Sequence, residues 1–280
     1  MNPTIPPFET VSDAADPRLA DYRHMKDRDL SAEGGRFVAE SELVVRRLLG
    51  SGLPVLSVLA TPLRLQTLGD ALAGVSCPVF SASQAVLDAI TGFHVHRGCL
   101  AIGQRPQHVE LPASARTVVV LEDLVSADNI GATARNAAAL GADALVLSPR
   151  AADPYYRKAV RVSIGAVFQL PIVRLASWPD DLGALKRQGF ALFGAVVDAA
   201  ATPLATVHRP PKVALLLGAE GPGLSPAARA ACDRLVTIPM APGADSLNVA
   251  TAGAVALHHL QQAASAAWPA PPESPSGPAR

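Results

Sequence analysis

The chain has 280 residues, of which 49% are hydrophobic and 4% aromatic, with 24 Lys and Arg against 24 Asp and Glu. That length suits two domains with sizeable cores, while a formal net charge of zero excludes nucleic-acid binding through bulk charge and leaves only a local surface for it. No leader-like segment and no apolar run of the ~18–20 residues needed to span a bilayer occur, and three distant cysteines without a C-x-x-C (Cys77, Cys99 and Cys232) fit a reduced, cytoplasmic protein better than a disulfide framework.

Residues 1–16 are proline-containing and predict an irregular N-terminus. Phe37–Ala39 predict a short strand. Ser41 and Glu42 open a helix to Leu49, which Gly50 and Gly52 end. A strand at Val55–Leu59, a helix at Pro62–Leu68, a strand at Pro78–Phe80, a helix over Ser83–Ile90 closed by Gly92, and a strand at Cys99–Ile102 follow. This alternation over 17–103 predicts a small α/β domain. Gln104–Ala115, with Pro106 and Pro112, reads as a linker, and a second domain spans 116–265. There Val118–Leu121 predicts a buried strand, Gly141 stops an Ala-rich helix, Ala144–Leu147 predicts the next strand, and Ala250–Gln261 the last helix. The proline-rich residues 266–280 predict a disordered tail.

Three blocks in the second domain follow strand-like runs and lead into helical patterns, the places where α/β proteins put ligand chemistry. The first is Asp128-Asn129-Ile130-Gly131-Ala132-Thr133-Ala134-Arg135-Asn136. The second is Leu217-Gly218-Ala219-Glu220-Gly221-Pro222-Gly223-Leu224-Ser225. The third is Ile238-Pro239-Met240 with Asp245-Ser246-Leu247-Asn248-Val249-Ala250. Together they suggest one composite site. Gly218, Gly221 and Gly223 allow tight turns near a ligand, and their order, G-x-x-G-x-G, is not the dinucleotide fingerprint. Asn129 can fix a substrate, or Asp128 or Asn129 can simply cap the helix; Ser246 can likewise be a cap. A carboxylate at Glu220 can hold Arg135 or a substrate hydroxyl. Arg150, Arg157, Lys158 and Arg161, interleaved with Tyr155 and Tyr156, form the densest basic cluster. They predict either phosphate and base contacts or a solvated helix face. His94, His96 and Cys99 supply too few ligands for a metal site, so none is expected. Val249, Ala252, Gly253 and Ala256 give the last helix a smooth face suited to a dimer.

In this order and spacing, the blocks resemble the SpoU (TrmH-type) RNA 2′-O-methyltransferases of the SPOUT superfamily, with N-x-x-G-A-x-x-R-N, L-G-x-E-G-x-G-L-S and I-P-M…S-L-N-V-A. The resemblance covers roughly Arg116–Ala264. Ala219 departs from the Asn that the family often carries there. The resemblance implies a parallel sheet with a trefoil knot, preceded by a small α/β RNA substrate-binding domain that His96-Arg97-Gly98 would close. It implies S-adenosylmethionine as cofactor, a homodimer with a shared active site, and methylation of a ribose 2′-hydroxyl in structured RNA, rRNA more than tRNA. Arg135, Asn129, Glu220, Ser246 and Asn248 would be the catalytic residues. Gly218, Gly221, Ile238 and Leu247 would hold the cofactor, and Arg157, Lys158 and Arg161 the RNA. A non-catalytic RNA-binding module of the same fold is the alternative, as is a nucleotide-dependent oxidoreductase, which the absence of G-x-G-x-x-G opposes.

Overall fold

Apolar runs bounded by Gly, Pro and capping side chains set the elements of a computed structural model that describes residues 7–23, 35–92, 95 and 98–262. His94, His96, Arg97 and the tail at 266–280 lie outside the described residues. The strands are β1 (Glu9–Val11), β2 (Arg36–Glu40), β3 (Val55–Ala60), β4 (Val79–Ala82), β5 (Cys99–Gln104), β6 (Thr117–Leu121), β7 (Ala144–Leu147), β8 (Ile172–Arg174), β9 (Ala191–Ala195), β10 (Thr202–Pro203), β11 (Val213–Leu217) and β12 (Arg234–Thr237). The helices are α1 (Ala20–Arg23), α2 (Glu42–Leu49), α3 (Pro62–Leu72), α4 (Gln84–Thr91), α5 (Ala127–Ala139), α6 (Arg157–Val162), α7 (Leu182–Arg187), α8 (Pro226–Ala231) and α9 (Val249–Gln262). Among the described residues, no helix is long and apolar enough to cross a membrane.

The first half builds a mixed sheet in the order β1-β4-β3-β5-β2, with β5 antiparallel to both β3 and β2. The expected irregular N-terminus gives way here. Glu9–Val11 pair in parallel with Phe80–Ala82, because Val11 is buried there and the sheet edge offers free backbone groups. β5 also runs to Gln104, two residues beyond the predicted strand end.

The second sheet is parallel throughout, in the order β10-β12-β9-β11-β6-β7-β8. β6 and β11 lie side by side at its centre and every residue of both is buried, as continuous apolar runs between two helical layers require. α9 packs on α5 and β11. The chain between Thr237 and Val249 therefore returns past β9 to reach its last helix, along the edge from which residues 218–225 leave β11.

The two halves share one core. Phe37 of β2 stacks on Tyr155 and Phe168 of the second half, with ring centroids 5.0 and 5.3 Å apart. Arg157 Nε and Nη2 donate to Glu40 Oε2 at 3.0 and 2.8 Å, Arg47 donates to the Ile164 carbonyl at 2.6 Å, and Arg105 pairs with Asp153. The Arg157 and Glu40 side chains are only 25% and 11% exposed, so the pair is more than a solvated surface contact. We predict that Glu40→Ala and Arg157→Ala each lower the unfolding free energy by about 1–3 kcal/mol, and that a double-mutant cycle in urea denaturation gives a favourable coupling above about 0.5 kcal/mol. Additive single losses would reduce this pair to a surface contact.

Candidate active site

Loops at the carboxyl ends of β9, β11 and β12, with the start of α9, surround a cleft of about 500 Å³, the position where parallel α/β sheets bind ligands. Its size is that of a small-molecule site. Gly218, Glu220, Gly221, Ile238, Ser246, Leu247 and Asn248 all line it.

The three sequence blocks meet through one side chain. Asn129 lies in the first turn of α5 and is 8% exposed. Its Nδ2 donates to Glu220 Oε1, and its Oδ1 accepts from Asn248 Nδ2 at 2.9 Å. Asn248 Oδ1 in turn accepts the Ala250 N–H at 2.9 Å, at the start of α9. Two expectations are corrected. The cap of α5 is Ser126, whose Oγ accepts the Asn129 N–H at 3.4 Å, so neither Asp128 nor Asn129 caps it. The side chain that caps α9 is Asn248 and not Ser246, which leaves the Ser246 hydroxyl on the cleft wall.

The glycine-rich loop is a tight turn. The Gly223 N–H donates to the Ala219 carbonyl at 2.9 Å. Gly221 and Gly223 sit at φ +84° and +69°, where a Cβ is strained. A Cβ on Gly218 would lie 2.1 Å from the Gly223 carbonyl carbon and 2.2 Å from Leu224 N. Behind the turn stands Glu122, a residue that sequence reasoning passed over. It is 3% exposed at the end of β6 and accepts hydrogen bonds from Trp178 Nε1 and, at 2.8 Å, from the Ser225 N–H. Its signal was weak, since an acid after a buried strand reads as a solvated loop residue until its partners, far along the chain, are known. Ser225 also caps α8, its Oγ accepting from Ala228 N at 3.1 Å. On the other side of β11, Arg229 lines the cleft and pairs with Asp198 at 2.6 Å. The Ala200 N–H and then this guanidinium hold the Asp198 carboxyl below its ordinary range.

Arg135 does not join this group. It is exposed on α5, six residues from Asn129 and hence roughly 120° around the helix, and it is absent from the lining of the cleft. Glu220 is bonded to Asn129 and not to Arg135. The basic cluster is also dispersed. Arg157 is engaged with Glu40, Lys158 pairs with Asp128 of α5, Arg150 pairs with Asp123, and Arg161 is exposed. Tyr155 is buried against Phe37, with its phenol pushed up to about 12 by burial and by Asp153, and is unavailable for base stacking. The small-residue face of α9 is likewise used within the chain. A Cβ on Gly253 would meet Leu217 at 2.8 Å, and Ala252 and Ala256 line the cleft.

The sequence profile of the SpoU rRNA Methylase family matches residues 116–258. An uncharacterized tRNA/rRNA methyltransferase of Mycobacterium bovis is 44% identical over 262 residues, covering 89% of this chain and 90% of its own length. The 23S rRNA (guanosine(2553)-2′-O)-methyltransferase RlmP of Bacillus subtilis is 27% identical over 254 residues, 91% of this chain and 100% of its own length. The crystal structure of the SpoU methyltransferase AviRb from Streptomyces viridochromogenes, in complex with AdoMet, superposes with a TM-score of 0.75 at 25% identity, over 90% of this chain and 98% of that one.

The two glycine positions should fail differently. Gly218→Ala puts a Cβ into backbone and is expected to disrupt the 218–225 turn, read as faster amide exchange at Gly223 and Leu224 and a lower denaturation midpoint. Gly221→Ala meets no atom within 4 Å and should lose only about 1–2 kcal/mol from its left-handed backbone. Equal effects of the two substitutions would contradict the close approach at Gly218.

Proposed function

The chain belongs to the SpoU rRNA methylase family, and on that premise we propose that this cytoplasmic enzyme transfers the methyl group of S-adenosylmethionine to a ribose 2′-hydroxyl in structured RNA, with ribosomal RNA favoured. The observation that carries this reading is the Glu220–Asn129–Asn248 chain of side chains at the cleft. It joins a carboxylate and two amides beside a pocket able to take a nucleoside. The full-length alignment with RlmP, whose name specifies a 2′-O position of 23S rRNA, supports the ribose and the ribosomal substrate. The Mycobacterium relative is named for tRNA and rRNA alike, so both substrates belong in the test.

The residues present fit the cofactor. Half-buried Ile238 and exposed Leu247 offer apolar surface for an adenine, and the Gly218–Gly223 turn brings backbone groups to the same wall. When bound, S-adenosylmethionine supplies the activated methyl group and its own leaving group. The chain must then align the ribose and handle its proton. We assign Glu220, Ser246 and Asn248 to that wall of the site and Asn129 to the buried position behind it, Glu220 oriented by Asn129 and Asn129 by Asn248. Gly218, Gly221, Ile238 and Leu247 hold the cofactor.

Arg135 faces away from its own cleft, so its catalytic role requires a homodimer in which it reaches the partner's cleft. This reading puts the subunit contact on the exposed face of α5 and α9, where Val255 is 41% exposed, in place of the small-residue face already used inside the chain. A guanidinium there would bind the adjacent phosphate and stabilise developing alkoxide charge, not act as a base, since its pKa exceeds ~12. Lys158 and Arg161 remain as RNA contacts, and the first domain, held by Arg157–Glu40, presents further RNA surface. The return of residues 238–248 past residues 218–225 is the candidate for the family's trefoil knot.

Sedimentation should give a species of twice the 28.9 kDa chain mass. In single-turnover methylation, Arg135→Ala is expected to slow transfer by about 10²-fold or more with cofactor affinity retained, and Arg135→Lys to be nearly as slow because a point charge cannot replace the planar fork. Near-normal transfer by Arg135→Ala would sink the mechanism. Mapping ribose methylation across rRNA and tRNA, from cells with and without the gene, identifies the substrate.

A further inference from the structure

Among the described residues lining the cleft, two side chains carry charge, Glu220 and Arg229. They approach from opposite sides of β11. Glu220 is held by Asn129, which follows β6, and Arg229 by Asp198, which follows β9. β6 and β9 are the two neighbours of β11 in the sheet, and so lie about 10 Å apart. One end of the cleft is thus acidic and the other basic.

The guanidinium of Arg229 is held but not saturated. Its Nη2 donates to Asp198 Oδ2 at 2.6 Å, and the other oxygen of Asp198 accepts the Ala200 N–H at 2.9 Å. Asp198 is therefore fixed from two sides and orients the arginine. The Arg229 Nε and Nη1 groups have no partner among the described residues. An exposed surface ion pair has no reason to face a ligand cleft, whereas an arginine braced by one carboxylate is preorganised for a second.

We propose that Arg229 binds the carboxylate of the methionine moiety of the methyl donor, an inference that rests on the cleft being the cofactor site. S-adenosylmethionine carries a sulfonium and an ammonium but only one anion, that carboxylate. The basic end of the cleft selects it, while the acidic end at Glu220 is left for the sulfonium, two methylenes from the carbon that carries both carboxylate and ammonium. Arg229 is in this sense a specificity residue. It distinguishes the complete donor from adenosine derivatives that lack the acid, and it sets which end of the ligand lies next to the Asn129–Asn248 pair.

The test compares calorimetric affinities for S-adenosylmethionine and decarboxylated S-adenosylmethionine, which lacks only that group. The wild-type chain should prefer the complete donor by about tenfold or more, the scale of a charge-assisted hydrogen bond. Arg229→Met, which keeps the aliphatic stem, should lose that preference and bind the decarboxylated ligand within about twofold of the wild type. Arg229→Lys should fall between them. Equal losses for both ligands, or an undiminished affinity of Arg229→Met for S-adenosylmethionine, would overturn the proposal. So would a wild-type chain that binds the two ligands equally, a result that stands even where the variants do not fold. A wild-type chain that binds neither ligand would instead remove the cofactor reading of the cleft, and this inference with it.

Discussion

The site depends on a single buried primary amide. Asn129 sits inside a helix, where its type has no intrinsic advantage, and it is nearly inaccessible to water. A buried amide must place both its donor and its acceptor or lose the hydration of each. Asn129 places the donor on Glu220 and the acceptor on Asn248, 91 and 119 residues further along the chain. These bonds hold only when the loop after β11 and the start of α9 are both in position. The same requirement fixes which face of Asn129 is the donor, since Asn248 uses its own carbonyl oxygen on the Ala250 N–H and so must donate from its nitrogen. Orientation therefore propagates from the α9 backbone to a carboxylate on the cleft wall.

Glycine then decides how closely the elements around this amide can approach. Gly131 lies under α6, where a Cβ would come within 2.5 Å of the Ala159 carbonyl oxygen. Gly253 lets α9 lie on Leu217, and Gly218 lets the turn close on itself. Each glycine in the three blocks that bears on packing is there for contact, while Gly221 and Gly223 are there for backbone sign. Glu122 finishes the frame from below by accepting the Ser225 N–H, so the turn is tied at both ends, to Asn129 through Glu220 and to the sheet through Glu122.

Much of this was legible in the sequence, and the failures share a cause. The central strands, α5, α9 and the composite character of the site follow from local signals: apolar runs, helix-stopping Gly141, and loops dense in Gly and polar residues. The assignment of individual site residues rests on the family resemblance that the three blocks carry. What could not be read locally was who pairs with whom. Arg157, Lys158 and Arg161 fall within five residues of sequence, yet Arg157 pairs with Glu40, 117 residues earlier, and the cluster dissolves. Tyr155 looks like a stacking platform until Phe37 covers it. The smooth face of α9 reads equally well as a surface for a second subunit or as one for β11, because small residues permit close packing without naming the partner. Ser126 was missed as a cap because Asp128 and Asn129 carry the same local signal two and three residues later. β1 is too short and too polar to announce itself, and forms because the edge of β4 is there to pair with.

Charge placement explains how a neutral protein can keep a cation free for a phosphate. Most arginines described in the first half are engaged with carboxylates, as with Arg18, Arg36, Arg46 and Arg64. On α5, Asp128 and Arg135 are seven residues apart and so share a face, separated by about two turns, or roughly 10 Å. An unpartnered Asp128 would offset part of the arginine's field across that distance. Lys158, from α6, pairs with Asp128 instead, and Arg135 has no ion pair or hydrogen bond among the described residues. The Lys158 pair is exposed on both sides and so adds little to stability; its effect is electrostatic. It leaves the α5 face with one uncompensated guanidinium beside a neutralised acid. That local excess of charge is what RNA binding requires of a chain whose total charge is zero. It also separates the two roles assigned by resemblance, since the lysine that neutralises Asp128 is available to a phosphate only when that pair opens, whereas Arg135 is available throughout.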